Sequence, residues 1–516
     1  MQVATLKGSH LSMQQARLWA YQQNNTAYLA QCTHLLLGPL QRDILWKALQ
    51  QAIRRHEILR TTFTFVPGMD IPLQVVSSES EPWWAEINLE DLSVLEQERY
   101  ISTLRQFLQN MPFSLSQQPV LRTALVRLNA ERHILFLALP TLCADASSLP
   151  FLVETIKQLY PLHAGLTPTQ PEEEEEVLQY ADVSAWQRDL LEEEDAESHQ
   201  AFWQQVTLDR IRATELPFVE DHAVLLQQTA SSAREFDPKS VEIPLEPALQ
   251  AQILSSAQEM DVSPETLLLA CWHLCIRRLT GQDDPILGVA CDGRHYEELK
   301  GAIGLYTRFV PLSIQTRIDY SFAQYIRQTQ RTLEQAREEQ SYFVWNRLAT
   351  EENTEQSSPF LPLQFEIEAW PGLPSITADF HCAFIQRICC SEPFVLKMSG
   401  LLQNAHQLYL ELSFDSRFLS AEHVQRLAST FSTLLRQTLL RPHAPLHSCP
   451  LLLPQDAPTL RGPALSLPTL PLHAHIVAIA RQYPTLPAVQ DEHLTLSYAQ
   501  LSARSSQLAH LLRARS

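Results

Sequence analysis

Leu137-Ala138-Leu139-Pro140-Thr141-Leu142-Cys143-Ala144-Asp145-Ala146 is the stretch from which the fold is read. The run His133 to Leu139 is apolar and strand-like, and Ser147 to Leu159 repeats apolar residues at helical spacing. The segment is therefore a strand, a short loop and a helix. Outward from it the same alternation recurs. Ser12 caps a helix over Gln14 to Tyr21, and Tyr28 to Leu37 is strand-like. Leu40, Ile44, Leu45, Ala48, Leu49, Ala52, Ile53 and His56 share one face of a long helix. A strand at Thr61 to Val66, a helix at Leu95 to Gln109 and a strand at Leu121 to Leu128 follow. Beyond the central loop, a helix runs from Tyr180 towards Gln205. Ser263-Pro264-Glu265 opens another with an N-cap and a first-turn proline, and His423 to Leu439 is amphipathic. Alternating strands and helices indicate an α/β layer architecture.

The acidic run Glu172 to Glu176, after Leu166-Thr167-Pro168, reads as a solvated linker between lobes at 1–170 and 171–447. Prolines 442, 445, 450, 454, 458, 463, 468 and 471 indicate a stiff, extended connection over 448–471. Residues 472–516 restart a globular pattern, with a helix at Leu472 to Arg481, a strand near Ala488 and a helix from Tyr498.

A chain of 516 residues, 45% hydrophobic and 19% charged, can bury several cores. Its 39 Lys and Arg against 58 Asp and Glu, a net charge of −19, exclude a nucleic-acid partner, which needs clustered cations. Nine cysteines without repeated spacing fit a reduced, cytoplasmic protein. No signal pattern and no apolar run near the roughly 20 residues a bilayer requires point to a membrane. Only 12 glycines leave little room for a phosphate-cradling loop.

Several residues imitate reactive sites. Cys143 has no base or cation beside it in sequence to generate a thiolate, and reads as a small buried hydrophobe. Cys271-x-His273-x-Cys275 has a metal-like look, but helical spacing sets His273 opposite both cysteines, so no metal is expected. His56 reads as a satisfied core histidine, and Cys389-Cys390 carry no ligand spacing.

Blocks in a fixed order complete the reading. They are Ser12-Met13-Gln14-Gln15-Ala16-Arg17-Leu18-Trp19, Arg55-His56-Glu57-Ile58-Leu59-Arg60-Thr61-Thr62-Phe63, the central loop, and Tyr180-Ala181-Asp182-Val183-Ser184-Ala185-Trp186. Leu279 to Asp284, Gly293-Arg294, Ile303-Gly304 and Phe414-Asp415 follow. Over about residues 8–453 this series resembles the condensation domains of nonribosomal peptide synthetases. The resemblance implies a V-shaped pseudo-dimer of two chloramphenicol acetyltransferase-like α/β lobes around a central tunnel. Peptidyl or acyl carrier proteins would dock at its mouths, each delivering a phosphopantetheine thioester, with no tightly bound cofactor. The donor's acyl group would pass to the acceptor's amine. The tail, Leu496-Ser497-Tyr498-Ala499-Gln500-Leu501 with Leu508 to Arg513, resembles the start of an adenylation domain. Only some ten residues precede the first block, which leads us to expect no docking helix and a carrier-bound starter acid as donor.

The chain departs from the family where chemistry is concentrated. The family's His-His-x-x-x-Asp-Gly here reads Pro140, Thr141, Asp145 and Ala146 at its defined positions. Imidazole suits proton transfer near neutral pH, whereas a hydroxyl can only share a hydrogen bond. Thr141 is therefore expected to position the amine, and Asp145 to pair with Arg294. Pro140, Cys143, Ala146 and Ser147 are expected along the tunnel, with Tyr306 and Arg308 from the fifth block. Arg308 replaces the family's asparagine and is expected to hold a carboxylate or phosphate, or to pair with Asp145 or a glutamate. Arg17 and Arg60 are structural motif arginines. Gln340 to Trp345 replace the sixth block, and an extra Trp370 follows the next strand. Two functions remain open. One is amide-forming transfer by positioning alone; the other is a silent condensation fold that holds a carrier protein or recruits a tailoring enzyme. An open passage at Thr141 favours the first and a closed one the second.

Overall fold

The computed structural model describes residues 8–22, 25–165, 178–193, 196–214, 216, 218–219, 236–315, 317, 319–345, 360–370, 376, 379–451, 471–491 and 493–515. The first lobe runs β1 (Ser9–His10), α1 (Met13–Gln22), β2 (Leu29–Leu37), α2 (Arg42–Arg55), β3 (Thr61–Thr64), β4 (Leu73–Val76) and β5 (Trp83–Asn88). It continues with α3 (Val94–Asn110), β6 (Arg122–Asn129), β7 (Arg132–Pro140) and α4 (Ser148–His163). The apolar stripe read along α2 is its buried face, Leu45, Ala48, Leu49, Ala52 and Ile53, packed beside α4.

The second lobe comprises α5 (Tyr180–Leu190), α6 (Ala196–Trp203), α7 (Leu208–Arg212), β8 (Pro238–Ile243), α8 (Pro247–Glu259), α9 (Pro264–Thr280), β9 (Leu287–Cys291) and β10 (Arg308–Leu312). After them come α10 (Phe322–Glu338), β11 (Leu363–Trp370), β12 (His381–Cys389), β13 (Leu396–Gln403), β14 (Gln407–Asp415) and α11 (Ala421–Leu440). Ser263 caps α9 by accepting from the Thr266 backbone N–H at 3.0 Å, with Pro264 in the first turn. The single helix expected from Tyr180 is instead two, α5 and α6, with the Glu192 to Asp195 acidic cluster between them; 194–195 lie outside the described residues.

The second-lobe sheet has the order β10-β9-β11-β13-β14-β8, and the first-lobe sheet β12-β2-β7-β6-β5. Strand β12, from the second half of the chain, thus completes the first lobe's sheet by pairing antiparallel with β2. Sequence proximity alone assigns β12 to the second lobe, and the crossover joins the lobes. Each sheet buries one face in a large apolar core with its own helices, and the first-lobe sheet packs its other face against α3 in a smaller cluster around Leu108, Val126 and Phe136.

The acidic linker at Glu172 to Glu176 and most of the Pro-rich connection, 452–470, lie outside the described residues. The first residues of that connection belong to the second lobe: Cys449 is buried in its core and its carbonyl accepts from Arg278. The chain divides into compact units at Met1–Leu453 and Pro454–Ser516. The latter contains α12 (Leu472–Gln482), β15 (Pro487–Gln490), β16 (Thr495–Ser497) and α13 (Tyr498–Arg515). No helix among the described residues is long and apolar enough to cross a membrane.

Candidate functional site

Strand β7 carries the chain into the loop, and its last residue, Pro140, pairs in register with Leu29 of β2. The Pro140 carbonyl accepts from the Cys143 N–H at 2.8 Å, closing a tight turn. Thr141 is held at both ends: its backbone N–H donates to the Tyr28 carbonyl at 3.3 Å, and its hydroxyl donates to the Cys390 carbonyl at 2.9 Å. Thr141, Cys143 and Asp145 are each 0% exposed, and Pro140 and Ala146 are also buried. Of these, Pro140, Cys143 and Ala146 are the loop residues expected along the tunnel, and Cys143 is also the small buried hydrophobe that its sequence surroundings indicate. The Thr141 hydroxyl is committed to the chain that crosses from β12. Burial pushes the Cys143 thiol well above the ordinary thiol range, as an unreactive core cysteine requires.

Asp145 is the hub of the loop. Its Oδ1 accepts from the Ser148 backbone N–H at 2.9 Å, the Ser148 hydroxyl at 2.6 Å and Arg294 Nη2 at 2.8 Å. Its Oδ2 accepts from Arg294 Nη1 at 3.0 Å, the Tyr306 and Thr307 backbone N–H groups at 2.9 Å each, and the Thr307 hydroxyl at 3.0 Å. Burial by itself raises a carboxyl's pKa; the Arg294 charge and this set of donors outweigh it and hold Asp145 below the usual carboxylate range. Arg294 is bidentate, the planar match of guanidinium to carboxylate. It also donates to the Ala302 carbonyl at 3.0 Å and lies over the Tyr306 ring, 4.3 Å from its centroid.

The other blocks converge on the same point. Tyr180 donates to the Leu305 carbonyl at 2.7 Å and shares a 2.7 Å hydrogen bond with the Ser12 hydroxyl. Gly304 lies against the Tyr180 ring so closely that a Cβ would fall 2.1 Å from it, which excludes any side chain without rearrangement. Tyr306 meets Tyr180 edge to face at 5.1 Å, and its hydroxyl is buried without a partner among the described residues.

Arg308 departs from expectation. It reaches neither Asp145, whose oxygens are saturated, nor a glutamate. Its Nη1 donates to the Gln340 and Ser341 carbonyls at 2.8 and 3.3 Å, beyond the C-terminal end of α10, where helix carbonyls present partial negative charge. With the Gln14 amide in its favourable orientation, the Gln14 oxygen accepts from Arg308 Nη2 at 2.7 Å. Burial lowers the Arg308 pKa. Arg308 therefore ties α1 of one lobe to the α10 end of the other. Arg17 lies 3.4 Å from Glu392 and over the Trp345 ring at 4.1 Å, and Arg60 bonds Glu57 and the Ser77 carbonyl within the first lobe.

Ser147 was singled out by position, yet its side chain makes no capping bond; Ser148 is the residue that bonds Asp145, Arg294 and Gly304. The signal was present, since Asp145-x-x-Ser148 ahead of an apolar helix is capping spacing. No signal pointed to Cys390, which meets Thr141 only through the crossover. Among the described residues no group of side chains could hold a metal ion. In the Cys271–Cys275 segment, His273 Nε2 donates to the Pro285 carbonyl at 3.0 Å, leaving Nδ1 to accept from the Tyr325 hydroxyl.

Comparison with known proteins agrees with this arrangement. Cyclosporin synthetase of Tolypocladium inflatum is 26% identical over 515 residues, covering 97% of this chain but 3% of the synthetase. The chain thus spans a small part of the length of that relative. The solved condensation domain from the Monacolin K polyketide synthase MokA superposes with a TM-score of 0.70 at 19% identity, covering 85% of this chain and 98% of that one. The X-domain from teicoplanin biosynthesis, solved in complex with OxyB, gives 0.66 at 17% identity, covering 87% and 96%. These likenesses show the two-lobed α/β fold. A family model described as the condensation domain matches residues 7–460, and the chain belongs to the condensation-domain family of nonribosomal peptide synthetases.

Proposed function

We propose that this chain is a catalytically silent condensation fold that serves as a binding platform for a carrier protein bearing a phosphopantetheine thioester. One observation carries the reading: the Thr141 side chain is wholly buried and its hydroxyl is bonded to the Cys390 carbonyl. A positioning group must touch the substrate, and a general base must lie within about 3 Å of the proton it takes. Thr141 does neither, and Pro140 offers no proton-accepting side chain. Asp145 is encased by donors and paired with Arg294, so its role is to hold the loop and the lobes together.

The rival is an acyltransferase that works by positioning. Amine attack on a thioester is favourable, and juxtaposition alone can supply about 7–11 kcal/mol of the barrier, against the 10²–10⁴-fold typical of a general base. The retained Asp145–Arg294 framework favours this rival. In the platform reading, the partners are a carrier protein, an adenylation domain continuing from 472–516, and a tailoring enzyme recruited to a tethered amino acid. The complex between the teicoplanin X-domain and OxyB supports that last partner by analogy. The compartment we propose is the cytoplasm.

The test is a reconstituted assay of acyl-loaded donor and aminoacyl-loaded acceptor carrier proteins, followed by intact-protein mass spectrometry. We expect a loaded carrier to bind, equally in wild type and Thr141→Ala, with no product above the protein-free background. Product that disappears in Thr141→Ala would establish the positioning enzyme.

A further inference from the structure

The second-lobe sheet has two unlike faces. One, including Phe365, Met398, Leu410 and Leu412, packs into that lobe's apolar core. The other points toward the first lobe, as Trp370 and Leu401 show by packing into the first lobe's core. On this cleft face the strand registers place four polar residues side by side. Glu242 of β8 is opposite Glu411 of β14, Glu411 is opposite Ser399 of β13, and Ser399 is opposite Glu366 of β11. Accessibility falls along the row: Glu242 is exposed, Glu411 half-buried, Ser399 6% and Glu366 5% exposed.

Three features of this row call for a cation. First, Glu242 and Glu411 are directly cross-strand, a like-charge pairing that destabilises a sheet. Second, the cations facing the row serve the inner carboxylates first: Lys397 Nζ is 3.0 Å from Glu366 Oε2, and Arg387 of β12 pairs with Glu368, with Glu411 a weaker, more distant attraction. Neither Glu242 nor Glu411 has an ion pair among the described residues, and the Glu411 carboxylate accepts only a long 3.4 Å bond from Ser413. Third, the Ser399 hydroxyl, set between Glu411 and Glu366, is buried and has no hydrogen-bond partner among the described residues. An orphaned buried hydroxyl costs about 1–3 kcal/mol, so a protein gains by filling it.

We propose that the row Glu242–Glu411–Ser399–Glu366 is a binding subsite for a primary alkylammonium group, such as the side-chain amine of a basic amino acid. An ammonium has three N–H donors and no acceptor. One donates to Ser399 Oγ and another to the Glu411 carboxylate. The group enters from the exposed Glu242 edge, and the like-charge pair Glu242–Glu411 is relieved as it arrives. The subsite is independent of whether the chain transfers acyl groups, and its test uses no carrier protein.

The experiment is isothermal titration of the full chain with pentylammonium, with pentanol as the neutral analogue and Glu411→Gln and Ser399→Ala as variants. We expect saturable pentylammonium binding, none for pentanol, and an affinity loss of about tenfold or more in Glu411→Gln, from loss of a charge-assisted hydrogen bond. Ser399→Ala should weaken binding severalfold while thermal melting stays unchanged or rises, because the variant removes an orphaned polar group. Two results would overturn the proposal: no saturable binding up to about 10 mM, weaker than the millimolar range in which a small ligand's site is still specific, or equal affinity in wild type and Glu411→Gln.

Discussion

Asp145→Asn removes one unit of charge from the most densely hydrogen-bonded side chain of the loop at almost constant volume. Every partner of the carboxylate is a donor: two nitrogens of the Arg294 guanidinium, the Ser148 and Thr307 hydroxyls, and the Ser148, Tyr306 and Thr307 backbone N–H groups. Whichever way the asparagine amide turns, its NH₂ faces donors, and buried Arg294 is left with only the half-exposed Asp292, 2.5 Å away, as counter-charge. Breaking one side of a buried pair typically costs about 3–5 kcal/mol. An unfolding entropy of about 2.1 cal/mol/K per residue gives roughly 1 kcal/mol/K for the Met1–Leu453 unit, and hence a fall in melting temperature of about 4 °C. Urea unfolding of Asp145→Asn, Arg294→Met and the double variant checks this. The double variant should cost clearly less than the two singles added together, because removing both partners leaves no uncompensated charge. Asp145→Asn within about 1 kcal/mol of wild type, or strict additivity, would refute the reasoning. The pH dependence has a definite sign. The folded carboxyl is held below its ordinary value, so its contribution is full above the unfolded aspartate pKa near 3.9 and is lost as the pH falls through the lower folded value.

Gly304→Ala should destabilise by about 1–3 kcal/mol, as overpacking does, because the new methyl collides with the Tyr180 ring. A Tyr180→Phe background tests the cause: the clash persists there, so full rescue of stability would sink the steric explanation. Two buried histidines make stability fall on acidification from a second direction. Burial holds His34 down to about 3 and His56 down to about 4. Between the unfolded value near 6.5 and those folded values only the unfolded state takes up the proton, so each costs up to about 1.4 kcal/mol per pH unit. Urea unfolding at pH 7 and pH 5 should show the drop, and His56→Gln should reduce it; a flat profile would contradict the burial argument.

The sequence by itself determined the α/β alternation and the elements with strong apolar spacing. Periodicity is a local property, and α2, β2, β7 and α11 lie within a few residues of where their apolar spacing puts them. It also determined the chemistry that is missing, since no packing can make Pro140 or Thr141 a base. The Asp145 partner was legible through the family resemblance, which implies an arginine from the other lobe and points to Arg294 in Gly293-Arg294. Only the tertiary structure decided three further matters. Strand β12 joins the first lobe's sheet, because backbone pairing depends on an edge left open elsewhere in the chain. That crossover carries the Cys390 carbonyl to the Thr141 hydroxyl and closes the loop, a contact between residues far apart in sequence. His56 is buried just past the end of α2, in extended backbone rather than on the helix face, and its Nε2 has no hydrogen-bond partner among the described residues, because a hydrophobic stripe specifies depth but not hydrogen-bond geometry. Arg308 likewise reads as an anion ligand from its charge, but burial against the carbonyls after α10 makes it a tie between lobes. Charge and spacing are written residue by residue; which groups meet is set by the register of distant strands.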